Sequence, residues 1–394
     1  MLLRRLGDDM FIDAVLKSNP GLIDAAYSLH AKGDIGPNTY CVDLDMVRQN
    51  ASFLARAGKE YGVKLYFMSK QFGRNPAISR AVVEGGIESA VAVDMDEARM
   101  LHENGIRIGH LGHLVQIAHR DMDEALDMNP EVMTCFGVEK AAGIDEAARQ
   151  RGMVQDILLR VIDGGSYIYP GQEGGIMLDG LGRAAGEIAK MSNVRIVGVT
   201  SFPCFLYSDE TGRIEPTENM RVLNRAAKML RTMDIDVKQI NGPSATCVSS
   251  IPLLRQMGVT HGEPGHALTG TTPLHAKGGE PEGQAMVYVT EVSHRLDDRA
   301  YVFGGGFYPR SHMKAAYSPR LKAKFDVLQT PADSIDYYGT VIDKDRVLNV
   351  GDALIYSFRT QIFVTRARVA VIAGISQARP HIVGIFTSQG DEIK

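Results

Sequence analysis

Apolar residues along the chain fall into short, nearly continuous runs, separated by stretches in which they recur every three or four positions. These are the two signatures of buried strands and amphipathic helices. An amphipathic helical opening spans roughly Phe11 to Ala31, Thr39 to Leu44 reads as a strand, and a helix covers about Asp45 to Glu60. From there the alternation is regular, with strand-like runs at 65–69 (LYFMS), 89–93, 107–111, 132–136, 156–162 (DILLRVI), 194–201, 236–240 and 258–262, each followed by a helical pattern. Most of these runs are apolar on both sides, as strands between covering helices and a packed interior must be. Eight βα units in about 210 residues predict a (β/α)8 TIM barrel, with a doubly wound sheet as the alternative. Runs 107–111 and 258–262 are the least regular, being short and carrying His110 and His261.

The pattern changes at His275. The segment KGGEPEGQ is rich in turn formers, and the runs AMVYVTEVS, RAYVFGG, GTVID, DALIYSF, RVAVIAG and HIVGIF follow without helices between them. This predicts a C-terminal all-β domain. The expected organisation is an N-terminal helical extension over 1–38, a barrel over 39–275 and the β domain over 276–394, with the Thr39–Leu44 strand free to pair in the latter.

Composition narrows the function classes. The 394 residues are 44% hydrophobic and 23% charged, which excludes disorder, collagen-like repeats and a coiled coil. A formal charge of −4 leaves no basic surplus for nucleic acid or an acidic membrane, so neither is an expected partner. Cys41, Cys135, Cys204 and Cys247 lack metal-ligand spacing and suit a reducing cytoplasm. No apolar run approaches the roughly 20 residues of a membrane span. Asp8 and Asp9 stand where a signal peptide would be uncharged, so the expected location is cytoplasmic, and Met10 is an alternative start. The 41 glycines imply many tight turns.

In such a barrel functional groups gather at the C-terminal strand ends. The first strand ends in Ser69-Lys70 and the eighth runs into Glu263-Pro264-Gly265-His266; in a closed barrel these strands are neighbours. A lysine leaving the apolar run KLYFMSK is partly desolvated, which favours the neutral amine that forms imines. The plain alternatives are a lysine snorkelling to solvent and a surface carboxylate. Asn241-Gly242-Pro243-Ser244 and Gly270-Thr271-Thr272 add small residues, hydroxyls and free N–H groups near helix starts, as an anion cradle would, although NGPS is equally a turn and N-cap. An imine partner, a partner for a pyridine nitrogen and a phosphate anchor are together what pyridoxal 5'-phosphate requires.

The motifs KLYFMSKQFGRNP, VAVDMDEARML, IGHLGHLVQI and Glu-Pro-Gly-His together resemble the fold-type III pyridoxal phosphate enzymes, the alanine racemase and ornithine decarboxylase superfamily. Within it they are most similar to the YhfX group of amino acid racemase-like proteins. The resemblance runs over nearly the whole chain from about residue 10 and is better in the barrel. It implies a cofactor-bearing barrel, a C-terminal β domain and a homodimer whose active sites are completed across the interface. Lys70 is similar to the family's Schiff-base lysine. Arg74 stands where some relatives have a phosphate-contacting Tyr, Ser244 resembles the hydroxyl residue that holds the phosphate, and Gly265 with His266 resembles the pair whose amides do the same. Glu263 stands where alanine racemases carry Arg and decarboxylases carry Glu-Pro-Gly. A carboxylate there keeps the pyridine nitrogen protonated, which serves α-proton removal and decarboxylation alike.

Racemisation needs a base on each face of the substrate. Lys70 serves one; for the other, Tyr338 is the candidate and Tyr337 its rival, both in Ile335–Gly339, with ordinary β-domain aromatics as the plain reading. Arg359 suits a substrate carboxylate or, equally, a structural salt bridge. His110 and His113 have no carboxylate or Cys at metal-ligand spacing, so no metal site is expected, and His113 is placed beside the cofactor. Cys204 is a second acid/base candidate or a buried filler. The reading is a pyridoxal phosphate enzyme acting at the α carbon of an amino acid, foremost a racemase, because the decarboxylases' Cys-Glu segment is not recognisable. A decarboxylase and a non-catalytic cofactor-binding protein are the alternatives.

Overall fold

The computed structural model describes residues 11–311 and 313–393; Met10 lies outside them. The chain forms two compact units. One gathers the described residues up to Ala51, Lys70–Gly85 and those described from His266 onward; the other is Ser52–Ser69 with Gly86–Gly265.

The helical opening is two helices, α1 (Phe11–Ser18) and α2 (Pro20–Ala31). The break falls at Asn19, because a residue before proline is pushed out of the helical region and Pro20 is well suited to a new first turn. Strand β1 (Thr39–Asp43) and helix α3 (Leu44–Tyr61) follow. The barrel strands are β2 (Lys64–Met68), β3 (Ser89–Ala92), β4 (Arg107–Leu111), β5 (Val132–Cys135) and β6 (Gln155–Ile162). After the two-residue β7 (Ile176–Met177) come β8 (Val194–Thr200), an unpredicted hairpin of β9 (Phe205–Ser208) and β10 (Arg213–Pro216), then β11 (Gln239–Asn241) and β12 (His261–Gly262). Helices α4 (Pro76–Glu84), α5 (Met95–Glu103), α6 (Met122–Asp127), α7 (Val138–Gln150), α8 (Leu181–Ile188), α9 (Glu218–Arg231) and α10 (Ile251–Gln256) alternate with them. In α9 the buried Met220, Leu223, Ala227 and Leu230 recur at three- and four-residue spacing, which is why this stretch is a helix with one face inward.

Eight parallel strands close into a barrel in the order β5-β4-β3-β2-β12-β11-β8-β6, with β5 pairing back to β6. All eight predicted runs supply one strand each. The first and last are neighbours, His261 opposite Lys64 and Gly262 opposite Leu65, and the Met68 N–H donates to the Pro264 carbonyl at 2.9 Å. The hairpin β9-β10 escapes the periodicity because its residues are mostly half-exposed or exposed.

The other unit holds a nine-stranded sheet. After the short helix α11 (Pro273–Lys277) come β13 (Met286–Leu296), β14 (Arg299–Phe303), β15 (Ala315–Ser318), β16 (Ala323–Leu328), β17 (Tyr338–Ile342), β18 (Ala353–Tyr356), β19 (Arg368–Ala373) and β20 (His381–Phe386). Their order is β14-β17-β16-β15-β18-β13-β1-β19-β20. Strand β1 thus lies inside this sheet, antiparallel to β13 and parallel to β19. Residues 39–43 therefore sit with the C-terminal strands and not with the barrel strands that follow them in sequence. The physical reason is burial on both faces: Cys41 packs with Ile12, Val15, Leu22 and Ile23 of α1 and α2, while Tyr40 meets the Tyr288 ring at 5.0 Å. The hairpin β15-β16 was not foreseen, since its residues are small or charged rather than alternating.

Barrel closure sets a test. A Cβ on Gly198 of β8 would stand 2.0 Å from the Gln239 carbonyl oxygen of β11. Gly198→Ala is expected to lose about 1–3 kcal/mol, seen as a lower melting temperature. Gly186→Ala in α8, where the nearest atom is 4.0 Å away, should gain about 0.5–1 kcal/mol instead.

Candidate functional site

The C-terminal mouth of the barrel is built from a layer of strand ends. Arg160, Thr200 and Asn241 stand in register on β6, β8 and β11, and in-register residues of parallel strands share a face. Glu263, immediately beyond β12, is 3% exposed. Its Oε1 accepts from His110 Nδ1 at 2.8 Å and from Asn241 Nδ2 at 2.9 Å, and its N–H donates to Thr246 Oγ1 at 3.2 Å. His110 Nε2 in turn lies 2.5 Å from Thr134 Oγ1, and Asn241 Nδ2 also reaches Thr200 Oγ1 at 3.1 Å. His113 Nε2 is 3.4 Å from Glu263 Oε2, its ring edge-on to His110 and Phe202.

Burial by itself would raise the Glu263 carboxyl. The His113 charge, the hydrogen bond and charge of His110 and the Asn241 amide outweigh it and pull the group down to about 2. Glu263 is therefore a buried carboxylate ion with one oxygen fixed. Its Oε2 accepts no hydrogen bond among the described residues.

Sequence reasoning passed over Arg160, which is 1% exposed. Its Nη2 donates to the Gln172 carbonyl at 2.8 Å and its guanidinium stacks 4.7 Å from the Phe136 ring centroid, while Nε and Nη1 have no acceptor among the described residues. Burial draws its pKa down. The signal was present in DILLRVI, a single cation inside an apolar strand. Thr134, Thr200 and Asn241 were missed as site residues because hydroxyls and amides in strands carry no pattern of their own.

The spacing argument against a metal at His110 and His113 does not see Glu263, whose carboxylate the barrel folds against both; the three ligand atoms lie within 4.8 Å of one another. Both ring nitrogens of His110 are nevertheless engaged by Glu263 and Thr134, which makes it a hydrogen-bond relay. Cys204 is fully buried with Sγ 3.4 Å from the Ser201 carbonyl oxygen. Burial, and then the Glu263 charge, push its thiol far up, so it stays protonated and fits the role of a filler. Ser244 and Ala245 both have positive φ, at 89° and 53°, a strained turn for non-glycine residues. Ser69, the residue before Lys70, donates its hydroxyl to Glu97. Pro264 and Gly265 are buried.

The second unit brings Lys70, His266 and Arg359 within electrostatic reach of one another. The His266 Nε2–H donates to the Thr360 carbonyl at 2.8 Å, and Thr360 Oγ1 donates to the Gln71 carbonyl at 3.2 Å. Desolvation, then the Arg359 charge and that of Lys70, hold His266 well below its ordinary value, so the ring is neutral. Arg74, at φ 53°, donates from Nη1 to Gln389 Oε1 at 3.2 Å and lies 5.2 Å from the Phe363 ring. Tyr337 and Tyr338 are on the surface of this unit, 67% and 44% exposed, Tyr337 beside Arg366 and Tyr338 edge-on to His294.

Residues 42–273 match the family described as alanine racemase, N-terminal domain, and residues 287–382 that described as YhfX-like, C-terminal domain. The chain is 39% identical to an Escherichia coli (strain K12) protein described as uncharacterized protein YhfX, over 98% of this chain and all of that one. Among solved structures, D-threonine aldolase from Filomicrobium marinum superposes with a TM-score of 0.68 at 16% identity, covering 90% of this chain and 96% of its own. Alanine racemase of Clostridium difficile 630 in complex with cycloserine gives 0.62 at 16%, covering 89% and 98%. D-threo-3-hydroxyaspartate dehydratase from Delftia sp. HT23 gives 0.65 at 14%, covering 88% and 97%. These structures share the fold.

The depressed Glu263 pKa fixes a pH dependence. A carboxyl at about 2 when folded and 4.5 otherwise contributes stability that is complete above 4.5 and is lost as pH falls through 2. Glu263→Gln should remove on the order of 3 kcal/mol at pH 7, and the gap to the native chain should close between pH 4.5 and 2 in acid unfolding curves. A gap that is constant across that window would contradict the assignment.

Proposed function

The chain belongs to the alanine racemase family through its barrel and to the YhfX-like group through its C-terminal domain, and on that premise we propose that it is a pyridoxal phosphate enzyme acting at the α carbon of an amino acid, foremost a racemase or epimerase. One observation carries the reading. Glu263 Oε2 is buried, ionised and, among the described residues, without a hydrogen-bond donor at the barrel mouth, which fits a protonated pyridine nitrogen. The open Nε and Nη1 of Arg160 fit anionic oxygens in the same interior.

In this assignment Lys70 would attach the cofactor, Glu263 would pair with its ring nitrogen, and Ser244, Gly265, His266 and Arg74 would serve its phosphate. His113 would stand beside the ring. The cofactor, when bound, supplies a sink for the electron pair left at the substrate's α carbon. The protein's own work is to hold charge and move protons. His110 and Asn241 fix the Glu263 carboxylate, so that it stays ionised through the neutral range. In the same assignment Arg160 and Arg359 would each receive carboxylate or phenolate oxygens as a planar fork of donors. Lys70 Nζ takes or returns the α proton on one face. On the other, Tyr338, with Tyr337 as its rival, would act from a partner subunit of a homodimer, and the exposure of both rings leaves them accessible for that. A cytoplasmic location remains part of the proposal, and among the described residues no helix is long and apolar enough to cross a membrane.

A decarboxylase is the second reading, supported by Glu263-Pro264-Gly265. Incubation with pyridoxal phosphate followed by borohydride should label the Lys70 peptide, and Lys70→Ala should abolish labelling; label elsewhere would overturn the assignment. Amino acid panels in deuterated water separate the chemistries. Solvent deuterium at Cα with loss of chirality supports racemisation, and carbon dioxide release without racemisation would replace it. Arg160→Met should lower kcat/KM by about 10- to 100-fold, in line with loss of a charge-assisted hydrogen bond of roughly 1.5–3 kcal/mol.

A further inference from the structure

The turn after the barrel segment holds a cluster that the proposed chemistry does not use. Thr272 caps α11, accepting a side-chain hydrogen bond from the His275 N–H. Gly278 and Gly279, at φ 77° and 96°, then reverse the chain, a course that residues with side chains rarely follow. The reversal brings Glu280 and Glu282 back to His275, so that one ligand atom from each of the three lies within 4.8 Å of the others. His275 is 1% and Glu282 2% exposed.

The details favour a bound cation over an ion pair. His275 Nε2 has no hydrogen-bond partner among the described residues and stands 3.6 Å from Glu282 Oε2. That is too long for a hydrogen bond, yet near the roughly 3.4 Å between two ligand atoms held about 2.1 Å from a tetrahedral ion. The other ring nitrogen, Nδ1, lies 2.6 Å from Thr272 Oγ1. With the proton on Nδ1 donated to that hydroxyl, Nε2 keeps its lone pair and faces a carboxylate oxygen, the arrangement by which ligating histidines are usually oriented. A buried ring nitrogen that keeps its lone pair and is aimed at a carboxylate suits a cation bound between them.

We propose that His275, Glu280 and Glu282 form a divalent cation site, one imidazole and two carboxylates suited to Zn2+ or Mn2+. The ion ties down the turn that anchors the first helix. Gln284, two residues on from Glu282, donates from Nε2 to the His275 carbonyl at 3.0 Å, accepts from the Ser18 hydroxyl at the end of α1, and offers its carbonyl to Asn19 Nδ2 at 3.1 Å.

The test uses the full chain, treated with a chelator and dialysed, then titrated with Zn2+ or Mn2+ by calorimetry alongside thermal melts. One equivalent is expected to depend on this cluster and to raise the melting temperature. His275→Ala and Glu280→Gln should each weaken that equivalent by at least about tenfold, the second guarding against misfolding of the first because Glu280 is only half-buried. Glu263→Gln should leave it intact, which separates it from the histidine pair in the barrel mouth. A flat titration, a melting temperature indifferent to chelator and metal, or equal binding by Glu280→Gln would overturn the site and leave an ion pair in its place.

Discussion

A carboxylate ion is held without solvent at the mouth of the barrel, and most of the surrounding polar architecture exists to make that possible. Glu263 costs several kcal/mol to desolvate, and only a convergent set of donors offsets this. His110 comes from β4, Asn241 from β11 and Thr246 from the turn after it, so the charge is tolerated only when strands far apart in sequence have closed. Thr134 and Thr200, one step further out, fix the imidazole and the amide. Removing the charge would leave a set of aligned donors with nothing to point at.

Within each unit, burial also fixes protonation states that composition would leave open. The Cys204 thiol keeps its proton because burial and a nearby anion both oppose thiolate formation, and His266 is kept neutral by burial and two nearby cations. Groups that sequence inspection would nominate as acids or bases are thereby silenced.

Much of the fold was legible because its determinants are local. Eight apolar runs flanked by amphipathic stretches leave few alternatives to a barrel, and the motifs around Lys70 and Glu263 pointed to a cofactor class. Determinants set by tertiary pairing were not legible. Hairpins β9-β10 and β15-β16 are too polar or too short to declare a period, and the break at Asn19 shows only in the dihedral preference imposed by Pro20. The His110–Glu263 contact joins residues that no spacing rule connects, since each belongs to its own strand end. Arg160 was visible as an anomaly, a cation in DILLRVI, but a lone charge in a strand gains meaning only when its neighbours are known.

The place of β1 between β13 and β19 carries a consequence for synthesis on the ribosome. Its antiparallel partner β13 is made only after the last barrel strand and its parallel partner β19 is the last strand but one, so at about 5–20 residues per second β1 waits on the order of ten seconds or more before it can pair. During that interval the barrel strands, all nearer in sequence, are free to close. The early helices α1 and α2, whose apolar faces are destined for β1 and its partners, must stay in company with something else meanwhile. The apolar faces of α1 and α2 thus find their final partners only after the barrel strands have all been made.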